Sequence, residues 1–280
     1  MSEAKLRKKA KELLEKGEVN QVIGYRQGYL PHSTTPAFVC KPEDVDVLVL
    51  NPFCYSNLAI YLMHKEIRKK GRPAIVAKTE DIRSIIVLVQ EFQINSDDLI
   101  ILGFYCEELG QADAVCTTYD AYTVEEYETL LNEKIKGTEL KGETIEELAK
   151  LEGLTQEERF RFWQQEFARC NKCYACRQAC PLCYCTKCIV EKTQPQWIES
   201  SAHLRGNLAW NFIRAFHLAG RCVMCGACER ACPMDIPLML LNASLVREVE
   251  QNFAYLAGYD SNNLPPLVTF KPEDEAAFIR

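Results

Sequence analysis

CNKCYACRQACP spans residues 170–181, and CVMCGACERACP spans residues 222–233. Aligned, the two stretches place Cys170, Cys173, Cys176, Cys180 and Pro181 against Cys222, Cys225, Cys228, Cys232 and Pro233. The shared string Cys-x2-Cys-x2-Cys-x3-Cys-Pro is the spacing that holds [4Fe–4S] clusters in two-cluster ferredoxins. Three thiolates two residues apart let a tight loop wrap one corner of a cubane. The fourth begins a helical turn that points away and reaches the other cluster. Proline after it offers no N–H and fixes the exit direction of the chain. The spacing therefore assigns Cys170, Cys173, Cys176 and Cys232 to one cluster, and Cys180, Cys222, Cys225 and Cys228 to the other.

The remaining cysteines read differently. Cys183, Cys185 and Cys188 follow the first string within eight residues of Cys180. They suggest a third metal site completed by a remote ligand such as Cys54 or Cys106, or else packing thiols or a zinc knuckle. Cys-x2-Cys also suits zinc, so a zinc-ribbon binding module is the alternative from another class. It would pair two knuckles without the third Cys and the Cys-Pro ending, and the net charge of −6 speaks against a nucleic-acid partner. The charged N-terminus lacks a signal-peptide core, and no apolar run reaches the ~20 residues of a membrane span. Fifteen cysteines in such a chain read as metal ligands in a reducing cytoplasm rather than as disulfides.

Working outward, residues 3–16 read as an amphipathic helix. Val45–Leu50, Ala74–Ala77 and Leu99–Leu102 read as strands, with helices over 56–70 and 80–93. That order predicts an α/β domain with a small parallel sheet and ligand-facing loops at 51–57, 78–81 and 103–107. Cys54 and Cys106 lie in two of these loops and are expected to approach each other. Residues 119–156 are acidic and read as a linker with short helices. Helices are predicted over 157–170, 197–218 and 238–256, and 261–280 reads as an extended tail. The expected division is an α/β domain (1–118), the linker (119–156), a bacterial-ferredoxin-like two-cluster domain with extra helices (157–260) and the tail.

Several side chains near the strings invite a role. Lys172, Arg177, Arg221 and Arg230 flank the thiols and either tune potentials, guide an acidic partner or form a solvated rim. His203 and His217 read as packed or solvated rather than ligating. Trp163, Trp197 and Trp210 read as core or as shielding for the clusters. No Gly-rich dinucleotide fingerprint, P-loop lysine or Ser/His/Asp order is present.

The stretches VIGYRQG (22–28), VLVLNPFCYSNLAIYL (47–62), IVAKTEDIRSIIVLVQEFQI (75–94) and LIILGFYCE (99–107) resemble the deazaflavin-dependent hydrogenase/dehydrogenase β-subunit family. So do FWQQEFARCNKCYACRQACPLCYCTKC and HLAGRCVMCGACERACPMDIPL. The resemblance extends to the ferredoxin-like iron–sulfur subunits of heterodisulfide-reductase-like, electron-bifurcating complexes and formate dehydrogenases of anaerobes. It implies electron transfer between iron–sulfur chains and a flavoprotein or dehydrogenase partner, and in full members a bound flavin. Where the family has Gly-Cys-Asp after the second strand, this chain has Thr79-Glu80-Asp81; Asp81 and Arg83 keep the pattern. Glu80 at a helix N-terminus would repel a phosphate, so the first half reads as a docking or vestigial module. A flavin-bearing β-subunit acting on a hydride carrier stays open as the alternative.

Overall fold

The computed structural model describes residues 2–106, 111, 114–119, 122–134 and 142–268. Helix α1 (Ser2–Glu15) buries Leu6, Ala10 and Leu13, a helical stripe on an otherwise charged segment. Strands β1 (Gln21–Gln27) and β2 (Thr34–Val39) form an antiparallel hairpin. Helix α2 (Lys65–Arg68) is short. Strand β3 (Pro73–Ala77), helix α3 (Thr79–Gln90), strand β4 (Ile100–Cys106) and strand β5 (Cys116–Thr118) complete the first half. The sheet order is β2-β1-β3-β4-β5. Its centre, β1-β3-β4, is parallel, and both edges are antiparallel. The small parallel sheet expected from sequence is thus corrected to a mixed, five-stranded one.

Two local expectations change with it. Val45–Leu50 is not a strand: Pro42–Val47 forms a 3-10 turn, and Leu48–Leu50 follow without regular structure. Pro42 and the acidic Glu43 and Asp44 favour a helical start, and the place beside β3 is already filled by β1 through Gln21, Val22 and Ile23. The helix expected over 56–70 is split into a 3-10 helix, Leu58–Met63, and α2, because His64 between them is extended.

Helix α3 explains how the halves join. Ile82, Ile85 and Ile86 pack into the core under the sheet. Val87 and Leu88 face the other way, into a cluster with Leu182, Leu218, Val223 and Val249. A helix apolar on both sides is one buried on both sides, and α3 is the wall shared by the two halves.

Helices α4 (Val124–Lys134) and α5 (Gly142–Glu152) occupy the segment expected to be a linker. Val124, Tyr127 and Leu131 belong to the first core, and Leu148 and Leu151 to the second. Tyr127 Oη accepts from the Gly103 amide at 2.7 Å, where the tyrosine leaves no room for a side chain. Helix α6 (Gln156–Ala168) starts at a capping box between Thr155 and Glu158. The remaining helices are α7 (Ala175–Gln178), α8 (Leu204–His217), α9 (Ala227–Arg230) and α10 (Leu238–Phe253). Helix α8 begins seven residues later than expected, after a cap by the His203 side chain. The second core gathers Trp163, Phe167, Trp210, Ile236, Leu238 and Leu241. From residue 269 the expected tail lies outside the described residues.

Candidate metal centre

The two cysteine loops follow the same backbone path. Lys172 and Tyr174 take left-handed φ values of 53° and 58°, and their counterparts Met224 and Gly226 take 61° and 71°. Three of these four are not glycine, and each such residue costs roughly 1–2 kcal/mol. The repeated strain at matching positions turns successive amides to one side, the geometry of an anion-binding nest. The Met224, Ala227 and Leu182 amides oppose the upward shift that burial gives the thiols of Cys222, Cys225 and Cys180. Helices α7 and α9 then start at equivalent residues, Ala175 and Ala227, and touch each other.

Each loop lines a cavity, and each cavity borrows one thiol from the other loop. The first is walled by Cys170, Cys173, Cys176 and Cys232, with Tyr174 and Trp210. The second is walled by Cys222, Cys225, Cys228 and Cys180, with Arg214 and Asn242. Among the described residues, no three His, Cys, Asp or Glu converge as a single metal ion would require. A tetrahedral zinc with ~2.3 Å bonds would draw its sulfurs to within about 4 Å of one another. Four thiols spread around a cavity suit a larger group.

The polar atoms at these walls point to the same chemistry. Trp210 Nε1 and Tyr174 Oη at the first cavity, and Arg214 Nε at the second, are buried without a partner. All three can donate a hydrogen bond, and unpaired buried donors are costly. Asn242 Nδ2 donates to Cys228 Sγ at 3.6 Å. Burial pushes the Cys176 thiol up to about 11 and the Cys225 thiol to about 12. Ionised thiols here need positive charge beside them. Thiolate ligands, inward amides and orphan donors together fit an anionic iron–sulfur cluster in each cavity.

The Cys183 amide donates to the Cys180 carbonyl at 3.2 Å, and its thiol is held below the usual range by Cys180 and Arg214. Cys185 is exposed and lies near Arg221 and Tyr184. Cys188 starts a 3-10 turn whose Glu191 accepts from its amide at 2.8 Å. Each of the three thus has a different set of neighbours. Cys106 is joined to Cys116 by a disulfide, which corrects the expectation that it meets Cys54 or serves as a remote ligand. Cys54 is buried and donates to Asn51 Oδ1.

The basic residues flanking the strings are engaged internally. Lys172 donates to the Glu199 carbonyl, Arg177 pairs with Glu191 at 2.7 Å, and Arg221 binds Glu91 and Tyr184. Arg230 donates to the carbonyls of Tyr55 at 3.1 Å and Cys225 at 2.9 Å. His203 is used at both nitrogens, by the Gly206 amide and by Glu199. Trp163 and Trp210 are buried, whereas Trp197 is exposed. Sequence reasoning passed over Arg214. Its signal was present: Asn207, Trp210, Asn211 and Arg214 recur at helical spacing on the buried face of α8.

At the strand ends of the first half, side chains bind one another. Lys78 Nζ donates to Asp81 Oδ2 at 2.7 Å, Tyr25 Oη at 2.8 Å and the Ser56 carbonyl at 2.9 Å. Burial raises the Asp81 carboxyl while Lys78 opposes the shift. Arg83 crosses to the carbonyls of Ala257 and Val223. Asp81 and Arg83, the two matches to the family pattern, are thus tied into the fold. With Glu80 in the first turn of α3, this constellation does not fit a flavin phosphate.

The first half also covers one loop and not the other. Asn57 lies beside the Cys225 thiol and opposes the upward shift that burial gives it, and Arg230 lies over the Tyr55 ring. Cys173, the counterpart of Cys225, is exposed.

Residues 169–237 match the family described as 4Fe-4S dicluster domain, so this part of the chain is a dicluster iron–sulfur domain. Over 106 residues the chain is 42% identical to the F420-dependent formate dehydrogenase subunit beta of Methanocaldococcus jannaschii, covering 38% of this chain and 27% of that one. It is 22% identical over 105 residues to the F420-dependent formate dehydrogenase 1 subunit beta of Methanococcus maripaludis, covering 38% and 26%. These relatives fit the β-subunit family that the sequence motifs resemble. The matched part spans about a quarter of each relative's length. Among the described residues, no helix is long and apolar enough to cross a membrane.

Proposed function

We propose that the chain is an iron–sulfur electron-transfer subunit that relays electrons through two [4Fe–4S] clusters within a larger cytoplasmic redox complex. The carrying observation is the pair of cavities, each walled by three thiols of one loop and one of the other. In this reading Cys170, Cys173, Cys176 and Cys232 hold one cluster, and Cys180, Cys222, Cys225 and Cys228 the other. When bound, the clusters supply one-electron storage and transfer. The chain's residues hold them close together, exclude water and set their potentials. Neighbouring subunits would be a flavoprotein and a dehydrogenase or heterodisulfide-reductase-like partner. The α/β half, 1–118, serves as a docking module beside the dicluster part, 157–260, with 119–156 between them and 261–280 as a tail. Cys183, Cys185 and Cys188 are the candidate ligands of a third metal site, with packing thiols as the alternative.

Purification without oxygen tests this reading. Two clusters require about eight irons and eight acid-labile sulfides per chain, without stoichiometric flavin. Zinc without iron or sulfide would overturn it, and stoichiometric flavin would favour a β-subunit that itself handles a hydride carrier.

A further inference from the structure

Arg214 differs from two of the other arginines near the thiols. Arg177 and Arg221 each have a carboxylate partner, Glu191 and Glu91. Arg214 is 4% exposed, and among the described residues no carboxylate pairs with it. Its Nη2 donates to the carbonyl of Cys176 at 3.1 Å, on the first loop. The charge of the same guanidinium also reaches the thiols of Cys228, on the second loop, and of Cys183, and opposes the effect of burial on both. It also walls the second cavity, and its Nε has no partner.

A guanidinium keeps its charge under all ordinary conditions. Burying it without an anion costs several kcal/mol. The chain supplies neutral carbonyl and sulfur partners, so the compensating negative charge must come from the thiolates and what they hold. Four thiolates around an iron–sulfur core make a net anion, and each added electron increases that charge. A fixed positive charge nearby stabilises the reduced form more than the oxidised form.

We propose that Arg214 is a shared counter-ion of the two clusters, a positioning residue whose one permanent charge, set between both ligand sets, raises both reduction potentials. The inference rests on the two-cluster reading. Its contacts fall more heavily on the second loop, so the second cluster feels it more. A donor that acted on one sulfur alone would affect one cluster only.

The test is a redox titration of the anaerobic protein, followed by electron paramagnetic resonance, for wild type, Arg214→Gln and Arg214→Lys. Iron and sulfide content is measured alongside. Wild type lacking iron and sulfide would defeat the two-cluster reading itself, before Arg214 is tested. With both clusters loaded, Arg214→Gln is expected to lower both midpoint potentials, the second more, and Arg214→Lys to retain most of the wild-type values. Potentials unchanged in the Gln variant, a shift in one cluster only, or a Lys variant that falls as far as Gln would overturn the proposal. If the Gln variant does not load, the Lys variant decides: retained potentials support the proposal, and lowered ones overturn it. If neither loads, Arg214 is a packing residue and the proposal fails.

Discussion

Cys180 shares a cavity with Cys225 although the chain places it in the other loop. The turn of α7 carries it there: its amide donates to the Arg177 carbonyl at 3.2 Å, and Pro181 leads the chain away. Cys232 makes the reciprocal crossing, its amide bonded to the Glu229 carbonyl at 2.9 Å. The two loops exchange their fourth thiols, so neither cavity has four without the other loop.

Cys180→Ala should therefore damage the cluster of the second cavity and spare that of the first. After reduction, the paramagnetic resonance spectrum should lose one cluster signal. Loss of the signal that Cys173→Ala also removes would contradict the exchange.

Asn242 donates to a sulfur of the second cavity, Cys228, at 3.6 Å. Hydrogen bonds to sulfur raise the potential. Asn242→Ala should lower the second cluster's midpoint by tens of millivolts, on a scale where ~59 mV is tenfold for one electron. The first cluster should not move, and a potentiometric titration reads both. Equal shifts in the two would refute this assignment of the donor.

The cover over Cys225 and the exposure of Cys173 predict unequal access. A soluble paramagnetic relaxant should shorten the relaxation of the first cluster more than that of the second. Arg230→Ala, which removes the bond to the Tyr55 carbonyl, should narrow the difference. Equal relaxation of both clusters in the wild type would count against the cover.

The Lys78–Asp81 pair is wholly enclosed. Removing one partner leaves the other charge buried, which typically costs 3–5 kcal/mol. Lys78→Met should lower the unfolding free energy, read from denaturant titration, by that order. The double variant Lys78→Met/Asp81→Leu should recover most of the loss. A double variant as weak as the single would show that packing, and not charge, sets the cost.

The grouping of the thiols around two cavities was legible because a fixed spacing is displayed by a linear sequence. Helices α1, α3 and α6 were legible from their apolar period, and β3 and β4 from short apolar runs. The first hairpin was not. β1 carries Gly24 and five successive buried residues, so it shows no alternation. Val45–Leu50 looks more like a strand locally, but pairing beside β3 is a tertiary competition that β1 wins. Cys106 was read as an available thiol because nothing in a linear sequence announces that Cys116 lies opposite it in register. Arg214 was hidden for a different reason: an arginine in a helix reads as solvated until the rest of its face is seen to be buried.

The duplicated loops alone would make a symmetrical lead, as easily entered from one end as from the other. Asn57, Tyr55 and Arg230 insulate the end at Cys225, while the end at Cys173 stays bare. A visiting carrier gains its shortest approach at the bare end. A repeat without inherent direction thereby acquires an outside and an inside terminal.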